Sequence, residues 1–360
     1  MKKLLTLVLA VSTTVMLFTG CGEKTSTSAN SSGGGGSSST SPAISVEPVE
    51  GNGAYADFPK NNITYICSGS AGGGLDLCAR FIAPYIAAYL PGDGTITVEN
   101  VTGGSNWNAY SRLIQSEPDG LTICTLATPQ FANYLNKSMQ IPYTMDDYTP
   151  LANCVTDYCL FAVRTDDERF ADVNTLDDLT EFLKNNSDTD FLVSLTSGGG
   201  ADELVMYEYE SIAGVENLTG INYAEGINAS RAGFLGAETD IYSGKVGDTL
   251  TMYNEGQVKV LGVFASERSS LMPDVPTGKE QGYDIVLGSD RGIIVPNDMD
   301  PELYDLLLSA VEAASNDPDY LEQMAAGGYE VNFMGGEEYT EYLRGLVDMM
   351  ASYADVLGYN

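Results

Sequence analysis

Apolar and polar residues change rhythm repeatedly along this chain. "NITYIC" at 62–67 is a short run rich in β-branched and aromatic residues, and it reads as a buried strand. "SGSAGGG" follows. Leu77, Cys78, Phe81, Ile82, Tyr85 and Tyr89 then recur with helical spacing, which predicts a helix over 75–89 with one face in the core. Pro84 is expected to kink or end it, since proline lacks the N–H that a helix interior needs. "GTITVEN" at 94–100 alternates as a strand, 106–115 reads as a helix, and "GLTICTLA" at 120–127 as a further strand. Later, 177–185 is helical and "DFLVSL" at 190–195 is a strand. After "TSGGG" a helix over 201–212 puts Leu204, Val205, Tyr209 and Ile212 on one face. Strands alternating with helices predict an α/β fold with mostly parallel sheets.

One unit occurs twice. Strand, glycine loop and helix appear over 66–82 and again over 191–212. A helix start exposes unpaired N–H groups and the positive end of the helix dipole. Two such ends facing each other would make a carboxylate site from backbone alone. The alternative is that the glycines only permit tight turns. Neither loop is a nucleotide motif: GxGxxG is absent, and "SGKVGD" at 243–248 lacks the GxxxxGK[ST] spacing. Asp76, Asp202 and Glu203 fall in the first turns of their helices and read as caps.

The N-terminus follows a different pattern. Residues 1–20 carry two lysines and then an apolar run too short to span a membrane, the layout of an export signal. They end in "LFTGC", which resembles the lipobox of bacterial lipoproteins, so Cys21 is the expected lipidation site. Residues 21–56, rich in Ser, Thr and Gly, read as a flexible tether, reaching roughly 30 Å for about 30 residues. The expected location is the outer face of the cytoplasmic membrane, with lipid at Cys21 as the anchor.

Charge and composition then exclude several classes. The chain has 360 residues, with 17 basic and 50 acidic side chains and a formal net charge of −33, which argues against nucleic acid as a partner. An anionic ligand must therefore be held by local donors. There is no histidine, which removes Ser-His-Asp and Cys-His catalysis and imidazole metal sites. The six cysteines form no CxxC pair. Cys67 and Cys124 read as buried hydrophobes, and a Cys154–Cys159 bridge is left open. No cofactor or metal is implied.

Six stretches in order resemble the solute-binding proteins of tripartite tricarboxylate transporters, the Bug family. They are "NITYICSGSAGGGLDLCARFIAPYI", "ITVENVTGGSNWNAYSRLIQSEPDGLTI", "VSLTSGGGADELVMYEYESIAG", "INYAEGINASRAGFLGAETDI", "GQVKVLGVFASERSSLMPDVPTGKEQGYDI" and "RGIIVPNDMDPELYDLLLSAVEAASNDPDYLEQMAAGGYEV". The likeness runs over about 57–345. It implies a two-lobed periplasmic-binding-protein-like (type II) fold, with 57–164 plus 288–360 as lobe one and 165–287 as lobe two. It also implies a small organic acid as ligand, delivered to a two-component membrane permease by a monomeric receptor that is not an enzyme.

The site residues that the resemblance implies come from several loops. In lobe one they are Ser68, Gly69, Ser70, Gly72, Gly73 and Gly74, the turn Gly103, Gly104 and Ser105, and Thr128 after the next strand. In lobe two they are Thr196, Ser197, Gly198, Gly199 and Gly200, then Asn222, Tyr223, Ala224 and Glu225. The chain departs from the family at Gly69, where an aromatic is usual, at Glu225, and at Asp290 and Arg291 before Gly292. Tyr207 stands near a missing family histidine. Arg291 and Arg231 are the candidate guanidinium clamps, each against the plainer reading of a surface ion pair. Trp107 reads as core. A sensory or interaction receptor without transport stays open, as does a carboxylate-dependent hydrolase.

Overall fold

The structure is a computed structural model that describes residues 44–196, 199–223 and 227–359. The leader, Cys21 and the tether to residue 43 lie outside the described residues, as do Ser197, Gly198, Ala224 and Glu225. The tether was expected to run to residue 56, but residues 44–56 lie against the body. Val49 donates its N–H to the Tyr89 carbonyl at 2.8 Å, and Ile44, Val49 and Tyr55 pack on the core. Three apolar side chains within thirteen residues are enough to hold this stretch down, unlike the serine and glycine run before it.

Two parallel sets of strands are joined by antiparallel ones. In the first set β1 (Ile63–Cys67) lies between β2 (Ile96–Asn100) and β3 (Thr122–Ala127). In the second, β5 (Phe191–Leu195) lies between β6 (Leu218–Asn222) and β7 (Ile241–Lys245). The joints are β4 (Tyr148–Arg164) and β9 (Gly288–Pro296). The sheet order is β2-β1-β3-β9-β4-β7-β5-β6, and β8 (Val258–Val263) and β10 (Val331–Gly335) also pair with β4. The sheet is therefore mixed, with every pairing to β4 antiparallel.

β4 can serve both halves because it is almost entirely buried over 17 residues. Up to Tyr158 it pairs with β9 and β10; from Cys159 it pairs with β7 and β8. Its bulges near Pro150 and Asn153 suit a strand in which Pro150 offers no N–H to the ladder. Cys154 and Cys159 are free thiols in different core clusters. An odd separation along a strand directs their side chains to opposite faces, so they do not bridge.

The helices close the layers. α1 (Gly74–Tyr89) buries Cys78, Ala79, Ile82, Ala83, Tyr85 and Ile86. It runs on through Pro84, so the helix does not end there as it could have. Pro84 sits on the exposed face, where water can take the carbonyl that its missing N–H leaves free. α2 (Trp107–Ile114), α3 (Leu176–Asn185) and α4 (Ala201–Ala213) lie within two residues of their predicted bounds. α5 (Ile227–Leu235) and α6 (Val246–Asn254) belong to the second half, and α7 (Pro301–Ser315), α8 (Pro318–Ala326) and α9 (Gly336–Ser352) complete the chain. Asp300 and Asp317 cap α7 and α8, each followed by a proline at the first helical position.

Candidate functional site

The first glycine loop leaves β1 and opens α1. Ser68 is buried and tied to β3: its N–H donates to Thr125 Oγ1 at 2.9 Å, and the two hydroxyls are 3.1 Å apart. Gly72, at φ +76°, donates its N–H to Asp76 Oδ2 at 2.8 Å. Asp76 also accepts from Arg80 Nε at 3.0 Å and from Asn100 Nδ2 at 2.7 Å, and Asn100 holds the Gly69 carbonyl at 2.9 Å. The Arg80 contact, with those of Gly72 and Asn100, takes the Asp76 carboxyl down to about 2. The Gly73 N–H goes to the Ser70 carbonyl. Asp76 is therefore a cap, and it fills part of the anion position that the loop creates. The N–H groups of Gly74, Leu75 and Asp76 have no acceptor among the described residues.

The second loop repeats this arrangement with different residues. Thr196 gives both its N–H and its hydroxyl to Asp202 Oδ2. Gly199, at φ +69°, gives its N–H to Glu203 Oε2, and Tyr207 donates its hydroxyl to Glu203 Oε1 at 3.1 Å. Burial, with Glu203 beside it, pushes the Tyr207 hydroxyl up to about 12. Gly200 caps α4 without a side-chain bond, and the Ala201 and Asp202 N–H groups have no acceptor among the described residues. Asn222 is exposed at the end of β6. Tyr223 donates its N–H to the Leu195 carbonyl, while its hydroxyl turns to Glu238 at 3.1 Å, so the side chain points away from the loop.

The turn before α2 carries four consecutive positive φ values, at Gly103, Gly104, Ser105 and Asn106. Asn133 Nδ2 donates to Ser105 Oγ at 2.8 Å, and Asn133 Oδ1 accepts from the Tyr359 hydroxyl at 3.3 Å. A Cβ at Gly199 would lie 2.6 Å from that hydroxyl. Tyr359 thus brings the 102–105 turn and the second glycine loop to one place. Tyr353, directly after α9, stacks on Tyr207 with ring centroids 5.7 Å apart. The sequence offered no signal for either tyrosine beyond a short aromatic tail.

Charged residues gather where β4 and β9 pass between the halves. Asp290 is 1% exposed and accepts from Thr128 Oγ1 (2.7 Å), Thr156 Oγ1 (2.6 Å) and Tyr342 Oη (2.7 Å). Thr128 is thus turned inward. Burial raises the Asp290 carboxyl, with the three hydroxyls opposing. On the other strand face, Arg291 Nη2 is 3.6 Å from Asp157 Oδ2, and the guanidinium lies 4.6 Å from the Tyr329 ring centroid. A Cβ at Gly74 would meet Arg291 Nη2 and Tyr329 Oη at 3.1 Å, so glycine lets the guanidinium sit beneath the start of α1. Arg291 and Tyr320 both line a void of about 10 Å³, and Arg291 Nη1 and the Tyr320 hydroxyl are buried without a hydrogen-bond partner among the described residues. That void is the size of one water. Arg291 therefore faces the interior and steadies α1, rather than standing open as a clamp.

Asp157 reaches the other way as well, accepting the Gly247 N–H at the start of α6 at 3.1 Å. Arg231 is a local tie, donating to the Asp248 carbonyl at 3.0 Å and to Asn228 Oδ1 at 2.6 Å. Trp107 is core, edge-on to Tyr110 and Tyr134. Lys245, the last residue of β7, carries no sequence signal beyond "SGKVGD", which lacks the nucleotide-loop spacing. Its Nζ lies 3.9 Å from Asp202 Oδ1. Asp202, Asp248 and Asp157 hold its ammonium well above the ordinary lysine value against the opposing effect of burial. A 760 Å³ surface hollow lined by Lys184, Glu210 and Asn217, among others, contains none of the candidate residues.

Comparison with known proteins places this geometry. Residues 79–351 match the family described as the tripartite tricarboxylate transporter family receptor. The "UPF0065 protein in gbd 5'region" of Cupriavidus necator is 25% identical over 316 residues, covering 85% of this chain and 90% of that protein. Among solved structures, a TctC solute-binding protein from Polaromonas without ligand superposes with a TM-score of 0.73 at 23% identity, covering 83% of this chain and 99% of its own. MatC of Rhodopseudomonas palustris with bound malate gives 0.60 at 21% identity, covering 83% of this chain and 100% of its own. The fold is thus the one found in periplasmic solute-binding proteins, and the family and fold are those of substrate-binding proteins rather than enzymes. With the match extending over most of its length, this chain belongs to the tripartite tricarboxylate transporter receptor family.

Proposed function

We propose that the protein is an exported receptor, lipidated at Cys21, that captures a small carboxylate between two lobes and delivers it to a two-component membrane permease. The lobes would be 57–164 plus 288–360, and 165–287, with β4 and β9 as the strands about which they close. One observation carries this reading. α1 and α4, on the two halves of the sheet, both start from a glycine with no side-chain cap, leaving first-turn N–H groups without acceptors among the described residues. Such groups, with the dipole behind them, suit a carboxylate and need no net positive surface. The 102–105 turn, with its run of left-handed residues, would add donors from the first lobe. Arg291 would steady the first of these helix starts. Malate, found in MatC, is the first compound to try.

The test is a thermal-shift screen of the chain without its first 21 residues against mono-, di- and tricarboxylates, amino acids and sugars. A ligand at 100 times its dissociation constant stabilises by about 2.7 kcal/mol. A shift with a carboxylate that is recovered unchanged is the expected result. A shift with sugars alone, or consumption of the compound, overturns the proposal. For the anchor, Cys21→Ser in the full chain is expected to move the protein from the membrane fraction to the soluble one.

A further inference from the structure

A nearly buried cation stands beside the second glycine loop, and it is under-used. Thr196 of the second loop is bound by Asp202 Oδ2. The other oxygen of that carboxylate, Oδ1, is buried without a hydrogen-bond partner among the described residues, and Lys245 Nζ stands 3.9 Å from it. That separation is too long for a hydrogen bond, so the two are paired by charge alone and the ammonium keeps its donors. Lys245 is 9% exposed, and its ammonium makes no hydrogen bond among the described residues. An ammonium has three donors, and a nearly buried one without acceptors is costly.

Its position determines which acceptor would reach it. β7 carries Lys245 to the same end of the sheet as the start of α4, and Ser243, two residues earlier, donates its hydroxyl to the Asp202 carbonyl at 2.8 Å. The Ala201 and Asp202 N–H groups without acceptors belong to that first turn. Backbone donors and a desolvated cation thus converge at one helix start in the second half. In the first half, by contrast, the cations near the start of α1 are taken up: Arg80 by Asp76, and Arg291 by Asp157.

We propose that Lys245 is a ligand contact and the main charge selecting for an anion in this protein: its ammonium takes an anionic oxygen of the bound carboxylate beside the start of α4. This rests on the carboxylate reading of the site. It implies that Asp202 has two tasks, one oxygen ordering the loop through Thr196 and the other balancing Lys245 while the site is empty. The ligand would compete with Asp202 for the ammonium without displacing the Thr196 bonds.

The experiment compares wild type, Lys245→Arg, Lys245→Met and the double variant Lys245→Met/Asp202→Asn, each titrated calorimetrically with malate and with acetate as the minimal carboxylate. The double variant removes cation and counter-charge together, so a fold lost in the single variant is retained. Lys245→Met and the double variant are expected to bind at least about tenfold more weakly, the scale of one charge-assisted hydrogen bond, and Lys245→Arg to retain most of the affinity. Wild-type binding that the double variant matches overturns the role of Lys245 and leaves the carboxylate receptor standing. A wild type that binds neither compound overturns the carboxylate reading and this inference with it.

Discussion

Asp290 ties together the place where the two halves of the sheet meet, and its removal separates two kinds of energy. The carboxylate accepts three hydroxyl hydrogen bonds, from the loop after β3, from β4 and from α9, at 2.6–2.7 Å. Its own N–H returns a bond to Thr128 Oγ1 at 2.8 Å. Thr156 Oγ1 in turn accepts from Asn153 at 2.9 Å and Asn332 at 3.0 Å, so the network reaches β10. Asp290→Ala removes the two oxygens that accept three charge-assisted hydrogen bonds. Both threonine hydroxyls keep a second partner, which limits the loss, and a buried charge is removed as well. A cost of about 3 kcal/mol follows. Asp290→Asn keeps the shape and one acceptor oxygen, and hydroxyls can rotate to accept from its amide, so about 1 kcal/mol is expected. The pH dependence distinguishes the variants further. Burial raises this carboxyl above its ordinary 3.8, so the folded chain holds the proton more tightly than the unfolded chain does. The group's contribution is therefore full below that value and is lost as pH rises through the raised one. Asparagine lacks this dependence, so Asp290→Asn gains on wild type as pH rises. Urea unfolding from about pH 4 to about pH 8 measures all three proteins. An alanine variant costing under about 1 kcal/mol, or an asparagine variant as costly as alanine at every pH, refutes the reasoning.

Other predictions follow from close approaches and from Asp76. Gly292→Ala would place a Cβ 2.1 Å from Tyr339 Oη and 2.9 Å from the Ala152 carbonyl; a loss of about 1–3 kcal/mol is expected in thermal melts, partly recovered by adding Tyr339→Phe. Gly199→Ala meets Tyr359 Oη at 2.6 Å and must also hold φ +69°. It should cost about 1–2 kcal/mol for the backbone alone, and a second change, Tyr359→Ala, should relieve only the contact. Asp76→Asn removes a carboxyl lowered from 3.8 to about 2. The stability from that shift is present above the ordinary value and lost as pH falls through the lowered one. Wild type should therefore exceed the variant by up to about 2 kcal/mol at neutral pH and converge with it near about pH 2.

Much of this fold was legible because its strongest signals are local. The α1 stripe, the α4 face and the glycine loops each depend on residues close in sequence, and each was found within two residues of its expected place. The crossing was not legible in the same way. β4, β9 and β10 pair antiparallel across separations of more than a hundred residues, and no periodicity within one segment records a partner that distant. Pro84 left a kink or an end undecided for a related reason: its cost depends on which face of the helix it occupies, and that is set by tertiary packing. Thr128 and Arg291 were both drawn from loops and strand ends near the site, but each turned inward once Asp290 and Asp157 were brought beside them.

The same distinction bears on how the site would work. Caps at Asp76, Asp202 and Glu203 were foreseen from their first-turn positions, and their consequence emerges only from the geometry. Each cap takes donors from the loop that precedes it, at Gly72, Thr196 and Gly199, so those loop donors are already bound to the protein's own carboxylates. Among the described residues, donors left for a ligand include the first helical turns, at Gly74 to Asp76 on one side and Ala201 to Asp202 on the other. Those donors are fixed in direction by the helices that carry them, and preorganised donors bind without the cost of ordering them. The acidic surface then has no bearing on local affinity, because screening confines its field to about 8 Å at physiological salt while the donors act at contact. A receptor with net charge −33 can bind an anion on these terms, provided that a cation such as Lys245 outweighs the acids nearest the ligand.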